Sequence, residues 1–404
     1  MEHMHGSLGL TFLGILVCIF VFSTLSNAIS KTIITLPIVF TGVGYLSSHP
    51  LETLAEPEVL DSGKRLIAEI TLILVLFSDA SHVRFRKLRE NIGLPSRMLV
   101  IGLPLTILLG TAITYFTIPG TAFGIALLTA AVLTPTDAAL GQTVVTSPKV
   151  PDHLRQTINV ESGLNDGLVL PFVLLGAILA SAGMEGAQTD GFATLIALQV
   201  TLGPLAGIVI GWLSAQAMNA ARTLKVMPEV AGGVAFLSVA FSAYIGSEAV
   251  GGNGFIAAFV AGMVFGNVDR HDIHFISEFM EGVGQLLTMF AFIIFGALLL
   301  PAGLAHATWH PVVLALLFLT VVRMLPIWVS LIGTGLKPRD TLFLGWFGPR
   351  GLASILFTLI MIDEFDFPRE QELLSCVSMT VFISIILHGM SATPLSNWIG
   401  RKAD

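Results

Sequence analysis

Long apolar runs separated by short polar breaks fill the whole chain. A helix needs about 20 apolar residues to cross a bilayer, although broken helices and shorter ones occur. Thirteen runs approach this length, at about 8–28, 32–48, 65–81, 97–116, 121–141, 157–181, 191–217, 229–247, 253–266, 282–300, 311–334, 341–362 and 372–390. The pattern predicts an all-α polytopic membrane protein with thirteen transmembrane helices, of which the ninth is short.

The composition supports the same class. Of the 404 residues, 54% are hydrophobic and only 12% are charged, about half of the roughly 25% that average soluble domains carry. The two cysteines, Cys18 and Cys376, lie inside apolar runs and offer neither a disulfide framework nor metal-ligand spacing. We therefore expect the lipid bilayer as the surroundings and predict no cofactor and no nucleic-acid partner.

The basic residues predict an orientation in the cytoplasmic membrane. If the N-terminus is outside, fifteen of the 20 Lys and Arg residues fall in inside loops, including the run RFRKLREN at 84–91. Lys64, Arg65 and Arg369 fall outside. Because Lys and Arg accumulate in cytoplasmic loops, this split favours an N-terminus outside and a C-terminus in the cytoplasm.

An odd number of helices suits two inverted repeats of six around a connector. Helices 1–6 and 8–13 would form the repeats, and helix 7 would join them. We expect the whole chain, 1–404, to form a single transmembrane domain.

Ionisable residues inside the predicted helices are rare. An uncompensated charge at mid-bilayer costs at least about 2.5–3.5 kcal/mol, so each such group needs a partner, water or a function. They are two acids in helix 3, one in helix 5, two in helix 6, and a single base in each of helices 11 and 12: Glu69, Asp79, Asp137, Glu161, Asp166, Arg323 and Arg350.

Helix 6 contains VESGLNDGLVLPF, with two acids five residues apart. At 3.6 residues per turn, Glu161 and Asp166 point about 140° away from each other, whereas Ser162 shares a face with Asp166. We predict that Arg323 pairs with Glu161, because a guanidinium keeps its charge and binds a carboxylate with two hydrogen bonds. Asp166 would then be the titratable acid. The alternative is that an Arg pairs with Asp166 and that Glu161 titrates.

Helices 5 and 12 are predicted to be discontinuous. Pro135 in LTPTDAALG breaks helix 5, and Thr136 and Asp137 are good caps for a restarted helix. The sequence GWFGPRGLAS interrupts helix 12 at Gly348, Pro349, Arg350 and Gly351. Interrupted helices at matching places in two repeats point to a transporter's binding site. Arg350 would either offset the negative end of a half-helix there or bias the access of ions.

These motifs together resemble the monovalent cation/proton antiporters of the bacterial NhaP type, which are relatives of the animal sodium/proton exchangers. The resemblance rests on ESGLND, PTD, the Arg of VVRMLP, GPRG and the closing ILHGMSATPLSNW, in that family's order. One departure is that relatives often have Pro after the Thr-Asp pair, whereas here Pro135 precedes it and Ala138 follows.

The resemblance implies site residues and a fold. Ion binding would fall to Asp166, Asn165, Ser162, Thr136, Asp137 and Asp79, with Asp166, Thr136 and Ser162 as direct ligands of a transported monovalent cation. Glu161 and Arg323 would form a structural ion pair. The fold would have two crossed discontinuous helices, with a dimerisation part at about 1–90 and 191–300, a transport core at about 91–183 and 311–404, and a homodimer as the assembly.

The implied function is secondary active exchange rather than enzymatic catalysis. Na⁺, or alternatively K⁺ or Li⁺, would compete with H⁺ for Asp166, and with one titrating acid beside a neutral Asn the exchange would be electroneutral. A cation channel is the rival, to be recognised by leak without proton movement. An intramembrane aspartyl protease is not supported, because Leu-Asn precedes Asp166.

Overall fold

The computed structural model describes residues 2–29, 32, 34–54, 57–83, 93–181, 192–228, 231–269, 274–306 and 308–401. Across these ranges the regular structure is helical, with no strand. The basic run 84–91 and the loop residues Lys31, Arg270 and Lys402, which carry part of the predicted charge asymmetry, lie outside the described residues.

Fifteen helices follow one another along the described chain. They are α1 (Glu2–Ile29), α2 (Leu36–Leu54), α3 (Pro57–His82), α4 (Gly93–Thr117), α5 (Phe123–Val132), α6 (Ala138–Val145), α7 (Asp152–Ser181), α8 (Phe192–Thr223), α9 (Ala231–Glu248), α10 (Gly254–Val268), α11 (274–305), α12 (Trp309–Ser330), α13 (Pro338–Trp346), α14 (Leu352–Glu364) and α15 (Glu370–Gly400). Short π-helical turns interrupt α4 at Met98–Gly102 and α11 at Phe295–Leu299.

Every predicted apolar run falls on a helix or on a pair of half-helices. In the described residues, seven helices are long and apolar enough to cross a membrane, and three shorter apolar helices lie at 36–48, 123–132 and 254–268. The protein is thus an all-helical, multi-pass membrane protein. The thirteen crossings, the inverted repeats and the division into two parts stay predictions.

The two discontinuous helices break where the sequence predicts. The first stops at Val132 and restarts at Ala138, with Pro135 in the unwound stretch. The second stops at Trp346 and restarts at Leu352, so that the GPRG motif lies wholly in the gap. Proline removes a backbone donor and glycine disfavours helix, so both gaps have a local cause.

The outer surface of the bundle is apolar, as lipid contact requires. Phe116 and Leu46 are 83% and 81% exposed, and on α1 only 11% of the window Gly9–Ser26 is buried. A water-soluble protein rarely exposes such continuous apolar area, whereas in lipid it carries no penalty.

Small residues let two helices approach closely beside the site. A Cβ atom at Gly262 of α10 would lie 2.2 Å from the carbonyl oxygen of Phe77 in α3, and one at Gly266 would lie 2.0 Å from that of Ser81. These contacts agree with the small-residue pattern of interfaces between transmembrane helices. They fix α3, which carries Asp79, against α10.

Candidate functional site

The two unwound segments, 133–137 and 347–351, touch at the centre of the protein. The backbone N–H of Asp137 donates to the carbonyl of Pro349 at 2.8 Å. The Asp137 carboxylate accepts from the N–H of Leu140 at 3.2 Å and from the N–H of Leu352 at 2.7 Å. One side chain therefore caps the restarted half of each broken helix, α6 and α14, where the helix dipoles favour negative charge.

Glycine is required opposite this carboxylate. A Cβ atom at position 351 would lie 2.0 Å from Asp137 Oδ2, far inside contact distance. Because Gly351 has no side chain, the carboxylate of Asp137 can approach closely enough to bond to the N–H of Leu352. The structure supplies the cap that the sequence predicts for α6 and adds a second cap on α14, which the sequence did not indicate.

Arg350 acts on the opposite broken helix. Its side chain is fully buried, and the guanidinium donates to the carbonyl oxygens of Thr134 and Pro135, just past the end of α5. The positive charge thus lies at the carbonyl end of the first broken helix, where the helix dipole is negative. Ser354 adds a hydrogen bond from its hydroxyl to the Val132 carbonyl at 2.8 Å.

Glu161 and Arg323 lie together as a buried ion pair. Two parallel hydrogen bonds of 2.6 and 2.8 Å join the guanidinium to the two carboxylate oxygens. Both residues are only 3% exposed. The geometry is the bidentate one that suits Arg and a carboxylate; the structural role of the pair in the transport cycle stays a prediction.

A cluster of neutral oxygens lies beside this pair. Thr136 Oγ1 is 2.9 Å from Ser162 Oγ, and Asn165 Nδ2 donates to Thr136 Oγ1 at 2.6 Å. The same Asn165 nitrogen is 3.5 Å from Glu161 Oε1, an acceptor, which fixes the orientation of the amide. The amide oxygen of Asn165 is consequently turned away, buried and without a hydrogen-bond partner among the described residues.

Asp166, four residues after Ser162 on the same face of α7, lines a cavity. It is 9% exposed, and its buried Oδ1 has no hydrogen-bond partner in the described part of the chain. The cavity has a volume of about 380 Å³. Its polar lining includes Asp79, Asp137, Gln142, Thr146, Asn159 and Asp166. A buried carboxylate oxygen without a partner, on a residue that lines a cavity, suits a proton or a cation.

The structure thus gathers the predicted residues into three neighbouring groups. Glu161 and Arg323 form the ion pair, Thr136, Ser162 and Asn165 form the oxygen cluster, and Asp166 shares its cavity with Asp79 and Asp137. No group of three or more His, Cys, Asp or Glu residues suited to a resident metal ion occurs in the described ranges. A monovalent cation here would be cargo, held by hydroxyl, amide and carboxylate oxygens.

Two further contacts were not predicted from the sequence. In α15, Ser384 and His388 bond to the backbone on either side of the second break. At the far end of α3, Arg65 pairs with Asp363, at the end of α14, and with Glu69. The sequence carried no signal for the first contact, because serines and threonines recur along the closing helix and the partners of Ser384 and His388 at the break are backbone groups.

Comparison with known proteins gives one consistent picture. The sequence model described as the transmembrane sodium/hydrogen exchanger matches residues 3–398. A K⁺/H⁺ antiporter, NhaP2, from Shewanella oneidensis is 27% identical over 269 residues, which cover 66% of this chain and 46% of that protein. A K⁺/H⁺ antiporter, NhaP, from Alkalimonas amylolytica is 23% identical over 338 residues, covering 83% and 57%.

A third relative and a solved structure complete the comparison. The Na⁺/H⁺ antiporter 2 of Zygosaccharomyces rouxii is 25% identical over 313 residues, covering 68% of this chain and 38% of that protein. The solved sodium/proton antiporter MjNhaP1 from Methanocaldococcus jannaschii superimposes with a TM-score of 0.77 at 17% identity, covering 100% of this chain and 99% of that one. The shared fold is clear, and the chain spans about half the length of the first two curated relatives.

Proposed function

The chain belongs to the family of transmembrane sodium/hydrogen exchangers, which are transporters and not enzymes, and on that premise we propose that it exchanges a monovalent cation for H⁺ across the cytoplasmic membrane. The observation that carries the proposal is the buried, partnerless Oδ1 of Asp166 at a cavity wall. Thr136, Ser162 and Asn165 belong to the same region and supply oxygen ligands.

The exchange follows from competition at one carboxylate. A proton or a cation neutralises Asp166, and the neutral site is free to pass between the two sides of the membrane. The empty, charged site passes poorly, because charge exposed to lipid costs several kcal/mol. Binding of one ion therefore requires release of the other, which couples the two flows.

In this arrangement the cavity gives access from the cytoplasm. Its lining includes Ser78 and His82 near the end of α3, Thr146 near the end of α6, and Asn159 in the first half of α7. The loops next to these ends are the basic ones assigned to the cytoplasm by their Lys and Arg content. On the opposite side, the pair of Arg65 with Asp363 links α3 to α14.

The transported cation is proposed to be Na⁺, with K⁺ as the second candidate. Na⁺ follows from the family and from the resemblance noted in the sequence. K⁺ is favoured by the two K⁺/H⁺ antiporters among the relatives. Both ions take oxygen ligands, and selection between them depends on the size and rigidity of the ligand cage.

We further propose a homodimer with an N-terminus outside and a C-terminus in the cytoplasm. The exposed apolar face of α1, where only 11% of the window Gly9–Ser26 is buried, supports a role of the 1–90 and 191–300 part in packing against a second copy. Cross-linking of single-cysteine variants in native membranes, with labelling from each side, tests the assembly and the topology together.

The function is tested in proteoliposomes that contain a pH-sensitive dye. Addition of Na⁺, K⁺ or Li⁺ across pH 6–9 is expected to move protons against the added cation, and the preferred ion identifies the substrate. Cation flux without proton movement would indicate a channel. The Asp166→Asn variant, reconstituted at equal density, is expected to move no protons; full exchange by that variant would overturn the assignment of Asp166.

A further inference from the structure

The gap of the second broken helix is held from outside by the closing helix. Ser384 of α15 accepts a hydrogen bond from the backbone N–H of Arg350 at 2.7 Å. One turn further on, Nε2 of His388 lies 3.0 Å from the carbonyl oxygen of Trp346, the last residue of α13. The two side chains thus form hydrogen bonds with the backbone near both ends of the unwound segment 347–351.

The two side chains also bond to each other, and a neutral imidazole gives these hydrogen bonds one consistent set of directions. The carbonyl of Trp346 only accepts, so Nε2 of His388 donates, and in the neutral ring Nδ1 is then an acceptor. Ser384 Oγ is 3.2 Å from that Nδ1 and donates its hydrogen there while it accepts from Arg350. The Ser384 carbonyl, 3.1 Å from Nδ1, would gain a donor only from a protonated ring.

Packing holds the imidazole in this place. His388 is 1% exposed, and its ring stacks on the indole of Trp346 with centroids 5.2 Å apart and planes inclined by 28°. The indole nitrogen of Trp346 donates in turn to Ser391 Oγ at 2.9 Å. Stacking on Trp346, whose indole is held in turn by Ser391, therefore fixes the orientation of the imidazole that bonds to the backbone. Such support is what a positioning residue requires.

The segment held in this way is the one that meets Asp137. Pro349 accepts from the Asp137 N–H, and Leu352 donates to the Asp137 carboxylate. Thr136, the neighbour of Asp137, contributes the hydroxyl between Ser162 and Asn165. A shift of 347–351 would therefore displace the oxygen cluster beside Asp166 through direct backbone contacts.

We propose that Ser384 and His388 form a latch, a pair of positioning residues that sets the geometry of the cation site by fixing the backbone between Trp346 and Arg350. The inference deepens the proposed function and rests on it. Neither side chain contacts the cation; both act through the crossing of the two broken helices.

The test compares four variants in proteoliposomes by the cation dependence of exchange, with the cation that wild type prefers. His388→Phe keeps a ring against Trp346 and removes both polar atoms, whereas His388→Gln keeps a donor and an acceptor. Ser384→Ala removes only the hydroxyl. Ser378→Ala is the matched control, because Ser378 is a fully buried serine of the same helix that bonds to the carbonyl of Leu299, away from the break.

We expect His388→Phe and Ser384→Ala to raise the apparent KM for the cation about tenfold, equivalent to about 1.4 kcal/mol, with the maximal rate within about twofold of wild type. His388→Gln should restore the KM to within about threefold, and Ser378→Ala should leave it unchanged. Rescue by Gln and a change in KM alone distinguish positioning from general support of the fold.

An unchanged KM in Ser384→Ala, or an equal rise in Ser378→Ala, would overturn the latch. Ser384→Ala decides the matter even if His388→Phe does not fold, because it alters a single oxygen. Wild-type liposomes that move no protons on addition of any cation would overturn the proposed function and the latch with it. Exchange by wild type with unaltered variants overturns the latch alone.

Discussion

Two acids of α7, five residues apart, should respond in opposite ways to loss of charge. Glu161 forms two hydrogen bonds with Arg323, whereas Asp166 Oδ1 has no partner in the described chain. Glu161→Gln should therefore destabilise the protein, and Asp166→Asn should abolish exchange with the fold intact. The contrast also distinguishes the two possibilities that the sequence left open. Either Glu161 is paired and Asp166 titrates, or Asp166 is paired and Glu161 titrates.

The magnitude follows from the burial of the pair. Glu161 and Arg323 are each 3% exposed, so Glu161→Gln leaves a guanidinium charge without a counter-charge in the interior. Breaking such a pair costs about 3–5 kcal/mol, whereas replacing both members by apolar residues of similar size is often neutral. We expect Glu161→Leu with Arg323→Met to recover most of the lost stability. Asp166→Asn, which removes an unpaired charge at constant shape, should cost less than about 1 kcal/mol.

Two assays are combined. Thermal unfolding in detergent is monitored by size-exclusion chromatography, and proton movement is measured in proteoliposomes. The expected order of unfolding midpoints is Asp166→Asn close to wild type, the double variant next and Glu161→Gln lowest. A Glu161→Gln variant that unfolds like wild type would contradict these roles of the two acids. So would an unfolding midpoint of Asp166→Asn as low as that of Glu161→Gln. A Glu161→Gln protein that lacks exchange at wild-type stability would point to Glu161 as the titrating acid.

Substitutions at three other positions probe the oxygen cluster and the crossing. Thr136→Ser should keep the KM for the cation within about twofold in the liposome assay. Thr136→Val removes the hydroxyl at constant shape and should raise that KM about tenfold or more, which corresponds to the loss of about 1.4 kcal/mol of binding free energy. Asp137→Ala removes two helix caps, each of which contributes about 1 kcal/mol to the free energy of unfolding. The variant should therefore have a lower unfolding midpoint than wild type. Gly351→Ala, whose Cβ would meet Asp137 Oδ2 at 2.0 Å, should reduce the yield of folded protein more than Gly9→Ala, where nothing lies within 4 Å.

Much of the site could be predicted from the sequence because lipid limits the choices. Few charges lie inside the apolar runs, so a buried Glu161 had few candidates for a partner, and Arg323 is one. The breaks at Pro135 and at GPRG follow from backbone chemistry that no tertiary contact needs to supply. Helical spacing alone put Glu161 and Asp166 on different faces of α7.

What could not be predicted depends on how helices cross. Nothing local in the sequence indicates that Asp137 caps the second broken helix, or that Arg350 serves the first. Both contacts join residues more than 200 positions apart, and they exist only because two unwound segments meet. For the same reason, the contact of His388 could not be predicted. Its partner is the backbone carbonyl of Trp346, and every residue has such a group, so no sequence pattern marks it.

The charge carried per cycle tests the whole arrangement. Asn165 is neutral and bonds to Thr136 and Glu161, so under the proposed competition at Asp166 the exchange of one proton for one cation moves no net charge. Asp79 shares the cavity, however, and a second proton taken up there would make the cycle electrogenic. We expect the rate of Na⁺-driven proton movement to be independent of a membrane potential that is imposed without a gradient of K⁺, which is itself a candidate substrate. If the rate depends on the potential in wild type and loses that dependence in Asp79→Asn, then Asp79 carries the second proton, and competition at Asp166 alone no longer describes the cycle.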